Sequence, residues 1–155
     1  MDLVKSILVP IDFSDYSKGA LKYAVEVAKI FNAKMNLIYV IEPVVYPSDF
    51  SMGQVSIPAV DNNAYERSQE ELKKLAEQEI DSSIEVEVII KSGKPFVEIN
   101  EYATENDIDL IIIATHGHTG VEHLLFGSTA EKVVRKAPCP VLTLREPIKG
   151  FKFNK

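Results

Sequence analysis

Three short aliphatic runs constrain the fold of this chain more than any other feature. They lie at residues 6–11 (SILVPI), 36–41 (NLIYVI) and 109–114 (DLIIIA). Each has the length of a β-strand, and none alternates clearly between apolar and polar residues. Strands that are covered on both faces have this composition, which is typical of the centre of a parallel sheet. The runs therefore predict three central strands of an α/β fold.

Two further runs have the character of edge strands. Residues 84–90 (IEVEVII) alternate, with Glu85 and Glu87 on one face, and outward charges discourage pairing between sheet edges. Residues 140–144 (PVLTL) begin with Pro140, which cannot donate to a hydrogen-bond ladder. If these two strands form the edges, the strand order is 3-2-1-4-5.

Four segments between the strands carry a helical period. The first is capped by Ser14 or Asp15, the second covers residues 63–80, the third opens with Pro95, and the last covers residues 128–136. Their apolar stripes predict a set of inward-facing residues, namely Leu21, Ala24, Val25, Ala28, Phe31, Leu72, Leu75, Ala76, Phe96, Ile99, Ala103, Ala130, Val133 and Val134.

The alternation of strands and helices predicts a single α/β domain over residues 1–155. Its expected architecture is an open five-stranded parallel sheet with helices on both faces and right-handed crossovers. With the order 3-2-1-4-5, the direction of strand addition reverses between strands 1 and 4. Ligands of such sheets bind outside the carboxyl ends of the strands at that reversal, which here are the sequences PIDFSD and ATHG.

Composition excludes several classes of protein. The net charge of −6 argues against a nucleic-acid surface, and no apolar run reaches the roughly 18 residues of a membrane span. The single cysteine, Cys139, fits a reducing compartment, and the first residues lack the pattern of a signal peptide. We therefore expect a cytoplasmic protein.

Two segments fall outside this compact pattern. Residues 43–62 form a connection rich in Pro, Ser and Gly, which is predicted either to cover a ligand as a flap or to be merely mobile. Residues 146–155 form a tail with a basic end, which is predicted to be a solvated terminus or a subunit contact.

The loop that follows the fourth strand is rich in glycine and histidine. Gly117 and Gly127 allow main-chain N–H groups to approach a ligand closely, and a helix is predicted to begin beside Gly127. The amides and the dipole of a helix N-terminus favour an anion such as phosphate, and the hydroxyls of Ser128 and Thr129 add donors. The alternative role of Ser128 is an ordinary N-cap.

This loop resembles the nucleotide-binding signature of the universal stress protein family. That signature is a glycine, two residues, a second glycine, nine residues, a third glycine and then Ser or Thr, and the chain reads ATHGHTGVEHLLFGS. The segments ILVPIDFSDYSKGALKYAVEVAK, NLIYVIE and APCPVLTLR resemble the family's opening strand and helix, second strand and closing strand. One position differs from the family signature, because Ala114 stands where the signature has its first glycine. Alanine is compatible with the site if its φ is negative and is strained if φ is positive.

The resemblance implies a fold like that of the adenine nucleotide α-hydrolases and an ATP site with defined residues. Asp12 would face the ribose or a Mg²⁺ ion, its alternative role being a turn or capping residue. Val40 would offer its main-chain groups to the adenine edge. The other implied ligand-binding residues are Pro10 and Ile11 around the nucleoside, Ala114 at the first glycine position, Gly117, Gly127, Ser128 and Thr129 around the phosphates, and His116 and His118 near them.

Three functional hypotheses follow. The first is an ATP-binding protein that acts as a nucleotide-dependent switch in stress responses, with slow or no hydrolysis, because the chain has no Walker A lysine motif and no lysine in its glycine loop. The second is a weak ATPase or a nucleotidyl-transfer enzyme of the related α-hydrolase group. The third is a nucleotide-free dimeric scaffold. Strand 5 is the expected dimer contact, and a zinc site built from the histidines is not favoured.

Overall fold

The computed structural model describes residues 3–44, 61–117 and 126–145. The predicted tail at 146–155, most of the predicted connection at 43–62, and His118 lie outside these ranges. The described elements are β1 (Ser6–Pro10), α1 (Asp15–Phe31), β2 (Lys34–Ile41), α2 (Asn62–Glu79), β3 (Val86–Ser92), α3 (Pro95–Glu105), β4 (Leu110–Ala114), α4 (Ser128–Lys136) and β5 (Val141–Leu144).

The five strands form one parallel sheet in the order β3-β2-β1-β4-β5, which confirms the predicted topology. β1 lies between β2 and β4, with Ile7 opposite Leu110 and Pro10 opposite Ile38. The carboxyl ends of β1 and β4 therefore lie side by side, and the loops that follow them leave the same edge of the sheet.

Each face of the sheet is covered by two helices, which explains why the central strands do not alternate. Ile7 and Val9 of β1 pack into a cluster with residues of α1 and α2, such as Leu21 and Leu72. Leu8 faces the opposite cluster, which contains residues of α3 and α4 such as Ile99, Tyr102, Ala130 and Val133. Because both faces of β1 are buried, successive residues must all be apolar.

The edge strand β3 lies two residues further along the chain than its alternating pattern predicted. Ile89 and Ile90 are both buried, one against each helical layer, so the alternation ends within the strand. Lys34 Nζ lies 3.4 Å from Glu85 Oε1 and 2.8 Å from Glu87 Oε2. These hydrogen-bonded carboxylates raise the pKa of Lys34, although its burial acts in the opposite direction.

Two residues that were predicted to face inward are exposed. Phe31 is 41% exposed, because α1 ends there and Asn32 turns the chain in a left-handed C-cap conformation with φ 51°. Val134 is 44% exposed, whereas Val133 is fully buried. Successive helical residues lie about 100° apart, so α4 buries only one of these two valines. None of the described helices combines the length and apolar composition needed to cross a membrane.

Candidate functional site

A cleft of about 430 Å³ opens at the carboxyl ends of β1, β2 and β4. It lies at the reversal of strand order, where an open parallel sheet binds its ligands. The structure brings together ten of the predicted site residues in its lining, namely Pro10, Ile11, Asp12, Val40, Ala114, His116, Gly117, Gly127, Ser128 and Thr129. His118, the remaining one, lies outside the described residues.

Sequence analysis missed about half of the lining. Four of the missed residues lie on β2 or β4, the strands that also carry predicted residues, and two others, Pro95 and Ile99, come from α3. Since β3 also ends at this edge of the sheet, the start of α3 had to lie near the cleft, and the predicted topology already contained that signal. The missed residues are Ser17, Ile38, Tyr39, Ile41, Glu42, Pro95, Ile99, Ile113, Thr115 and Ala130.

The turn from β1 to α1 fixes the carboxylate of Asp12. Ser14 donates to Asp12 Oδ1 from its main-chain N–H (3.0 Å) and from its hydroxyl (2.5 Å). Ser14 is also the N-cap of α1, where its Oγ accepts from Ser17 N–H at 3.2 Å. The Ser17 hydroxyl in turn donates to the Ser14 carbonyl at 3.1 Å. Asp12 is therefore held in one orientation by two buried serines at the start of the helix.

Phe13, between these residues, has a left-handed backbone with φ 63°. Such a conformation is costly for a bulky residue and occurs mainly where the surroundings enforce it. The Phe13 ring contacts the Tyr39 ring, with centroids 5.0 Å apart and planes inclined by 58°. Burial raises the pKa of Tyr39, and the charges of Glu71, Asp12 and Glu42 raise it further. The turn at Phe13 thus brings Asp12 to the cleft while the aromatic ring packs against β2.

The loop after β4 returns to the end of that strand before α4 begins. Thr115 N–H donates to the Leu144 carbonyl at 2.9 Å, and Gly127 N–H donates to the Thr115 carbonyl at 2.5 Å. Gly127 is the N-cap of α4, so the alternative role of Ser128 as N-cap is wrong. Ser128 is instead the first helical residue. The N–H groups of a first turn have no partner within the helix. Ser128 and Thr129, which belong to this turn, line the cleft.

Close approach, rather than positive φ, favours glycine at the two described glycine positions of the loop, Gly117 and Gly127. A Cβ atom on Gly117 would collide with Asp12 Oδ2, and one on Gly127 would lie 3.1 Å from the Thr115 carbonyl oxygen. Ala114 lies inside β4, paired with Leu144, and is not among the described residues with positive φ. The replacement of the signature's first glycine by alanine is therefore free of backbone strain.

His116 is held by its neighbours at the wall of the cleft. Its Nδ1 lies 2.9 Å from the hydroxyl of Thr115, which is buried, and its ring lies 5.7 Å from the ring of Tyr16. Within residues 3–44, 61–117 and 126–145, no three His, Cys, Asp or Glu side chains come together to hold a metal ion. His116 is the only one of the chain's three histidines in these ranges.

The main chain of Val40 presents a hydrogen-bonding edge to the cleft. Ile11 N–H donates to the Ile38 carbonyl at 2.8 Å, so Ile38 directs its main-chain groups toward β1. Val40, two residues further, directs its N–H and C=O to the same side. The pairing of β1 with β2 ends at Pro10, and among the described residues no hydrogen bond continues it to Val40. The N–H donor and the C=O acceptor of one residue, Val40, are thus available beside the cleft.

These features define an open α/β protein with a cleft at the strand-order reversal. The family model of the "Universal stress protein family" matches residues 4–145. Universal stress protein MJ0531 of Methanocaldococcus jannaschii is 36% identical over 148 residues, which cover 96% of this chain and 86% of the relative. The chain therefore belongs to the universal stress protein family.

Solved structures agree with this assignment. MJ0577, from the same archaeon, aligns with a TM-score of 0.76 and 25% identity, covering 94% of this chain and 98% of that protein. Two universal stress proteins with the same fold were solved with nucleotides. One is a complex with cAMP (TM-score 0.65, 22% identity, covering 92% of this chain and 97% of that one). The other is the Archaeoglobus fulgidus complex with dAMP (TM-score 0.65, 21% identity, covering 91% and 98%).

Proposed function

We propose that this protein binds ATP, together with Mg²⁺, in the cleft and acts as a nucleotide-dependent switch in stress responses. The observation that carries the proposal is the convergence of three main-chain features on one cleft. These are the hydrogen-bonding edge of Val40, the close approach of Gly117 to the β1–α1 turn, and the N-terminus of α4 at Gly127. Together they suit a ligand that has a flat base, placed at the Val40 end of the cleft, and an anionic group, placed at the α4 end.

The edge of Val40 fits adenine. One residue supplies an N–H donor beside a C=O acceptor, and adenine carries a ring-nitrogen acceptor beside the donor hydrogens of its N6 amino group. Guanine carries a carbonyl oxygen in place of the amino group, which would face the Val40 carbonyl. Apolar side chains of Ile11, Ile38, Ile99 and Ile113 line the same cleft and can pack against a base.

The other end of the cleft fits phosphate. Main-chain N–H groups and a helix dipole stabilise anions, and the hydroxyls of Ser128 and Thr129 add donors at the same place. The family members that were solved with cAMP and dAMP support an adenylate as the ligand of this fold.

A magnesium ion fits the donor atoms present. Mg²⁺ prefers oxygen ligands and binds through one or two carboxylates together with phosphate oxygens. Asp12 would hold the ion through its carboxylate, whose Oδ1 also accepts from Ser14. When bound, the ion would neutralise phosphate charge.

The chemistry of the lining favours binding over rapid hydrolysis. Among the described residues that line the cleft there is no Lys or Arg, the side chains that stabilise charge in fast phosphoryl transfer. A weak ATPase or nucleotidyl-transfer enzyme and a nucleotide-free scaffold remain the alternative functions. Turnover that is well above background and lost on Asp12→Ala would establish the enzyme.

Calorimetry with Mg-ATP tests the proposed function. We expect a Kd on the order of micromolar for the wild type, and binding weaker by at least about tenfold, or about 1.4 kcal/mol, for the double variant Gly117→Val, Gly127→Val. Both new side chains would enter space that the two loops need. Gly19→Val is the matched control, because the space around Gly19 in α1 is open within 4 Å. Absence of Mg-ATP binding by the wild type would overturn the proposal.

We further propose that the protein is a cytoplasmic homodimer that pairs through β5. This strand is at the edge of the sheet, all four of its residues are half-buried, and Val141 and Leu142 are apolar. An uncovered apolar edge is prone to pair with a copy of itself around a two-fold axis. The half-buried free thiol of Cys139 is consistent with a reducing compartment.

A further inference from the structure

The charges around the cleft are unfavourable for a polyphosphate. The described lining contains the carboxylates of Asp12 and Glu42 and no lysine or arginine. The sequence segments 45–60 and 118–125, which continue from two of its edges, contain no lysine or arginine either. Main-chain amides and a helix dipole supply only partial positive charges. A ligand with several negative charges would therefore meet two carboxylates and no lysine or arginine in the described part of the lining.

Asp12 places one of these carboxylates directly against the glycine loop. Its Oδ2 lies in the space that a side chain on Gly117 would occupy. The carboxylate cannot turn away without losing two hydrogen bonds, because Oδ1 accepts from both the N–H and the hydroxyl of Ser14. Ser14 and Ser17 are buried and bonded to each other, so the whole turn resists reorientation. A fixed negative charge thus stands beside the position that the proposed function gives to the phosphates.

We propose that Asp12 determines which form of the nucleotide binds, by excluding free polyphosphates and admitting their complexes with a divalent cation. This inference rests on the proposed adenylate site. A divalent cation held by the Asp12 carboxylate would replace the repulsion between this carboxylate and the phosphates by attraction of both to the cation. Without a cation, the same carboxylate repels the ligand. Asp12 would therefore select the metal-bound form of the nucleotide as well as coordinate the cation.

The test is a comparison of ATP binding with Mg²⁺ and with a chelator, by calorimetry, for the wild type and Asp12→Asn. Asparagine retains an oxygen that can accept from Ser14, so the turn is preserved while the charge is removed. We expect Mg²⁺ to strengthen ATP binding to the wild type by about tenfold or more, since two unit charges at contact distance interact by at least that order. In Asp12→Asn, ATP binding in the chelator should strengthen by about tenfold and the effect of Mg²⁺ should largely disappear.

Two controls separate this effect from others. Asp15→Asn removes the same charge from an exposed position three residues along the chain, outside the cleft lining, and should behave as the wild type does. AMP carries fewer charges than ATP, so its binding should respond less to both Mg²⁺ and Asp12→Asn. Unchanged melting temperature of Asp12→Asn would confirm that the turn is intact.

Two results would contradict the inference while leaving the proposed function in place. The first is a variant that binds Mg-ATP more weakly but binds metal-free ATP as the wild type does, which would make Asp12 a coordinating residue only. The second is a wild type that binds ATP equally well with and without Mg²⁺. If the wild type bound no ATP in either condition, the proposed function would fail and the selection by Asp12 with it.

Discussion

At the scale of single residues, the cleft depends on the close approach of two loops. Asp12 leaves β1 and Gly117 follows β4, and the carboxylate of the first fills the space left by the absent side chain of the second. Neither Gly117 nor Gly127 has a left-handed backbone, whereas Phe13 does. The geometry of the site is therefore determined by the turn at the start of α1 as much as by the glycine loop.

Ala114 offers a test at this scale, because it departs from the family signature. We expect Ala114→Gly to leave the Kd for Mg-ATP unchanged, since the strand already gives Ala114 an unstrained backbone. Glycine inside a strand should lower the free energy of unfolding by about 0.5–1 kcal/mol. Calorimetry and urea denaturation measure the two effects. An affinity gain of several-fold would instead mean that the Ala114 methyl group obstructs the ligand.

Some residues of the structure could be predicted from the sequence and others could not. Asp12 and Gly127 could be identified because a motif and a strand end located them. The backbone of Phe13 could not, because its φ depends on contacts with Tyr39, from a different strand. The prediction that Phe31 and Val134 face inward was wrong. An apolar stripe indicates which side of a helix faces the core, whereas the exposure of a residue also depends on where the helix ends and on which residues pack against it.

At the scale of elements, the strands were predicted best. Central and edge strands differed in sequence because the central ones have helices on both faces, and this difference gave the order β3-β2-β1-β4-β5. The same reasoning predicts that β5 is an edge strand, and among the described strands it pairs with β4 alone.

Dimerisation through β5 leads to a prediction at this scale. The carbonyls of Pro140 and Leu144 accept from β4, so residues 140, 142 and 144 direct their main-chain groups inward and Thr143 directs its own outward. Thr143→Pro should therefore remove an outward donor while preserving the sheet. Light scattering after size exclusion should give twice the 17.3 kDa protomer mass for the wild type and the protomer mass for the variant. A wild type of one protomer mass at micromolar concentration would contradict the dimer.

At the scale of the whole molecule, the location of the cleft follows from topology. Once β1 and β4 are neighbours, the loops after them must meet at one edge of the sheet, whatever their sequences. This is why the sequence could predict both ends of the site, around Asp12 and around Gly127. The topology also places the start of α3 near this edge, because β3 ends there, but which α3 side chains reach the cleft depends on how the helix packs.

The central claim is that main-chain groups at this edge bind an adenine nucleotide, and a crystal structure with Mg-ATP tests it most directly. We expect electron density for the base within hydrogen-bonding distance of Val40 N and O. The phosphates should lie against the start of α4, at the N–H groups of Ser128 and Thr129, because the Gly127 N–H already donates to Thr115. A cleft filled by the protein's own side chains, or nucleotide bound only elsewhere on the molecule, would contradict the account.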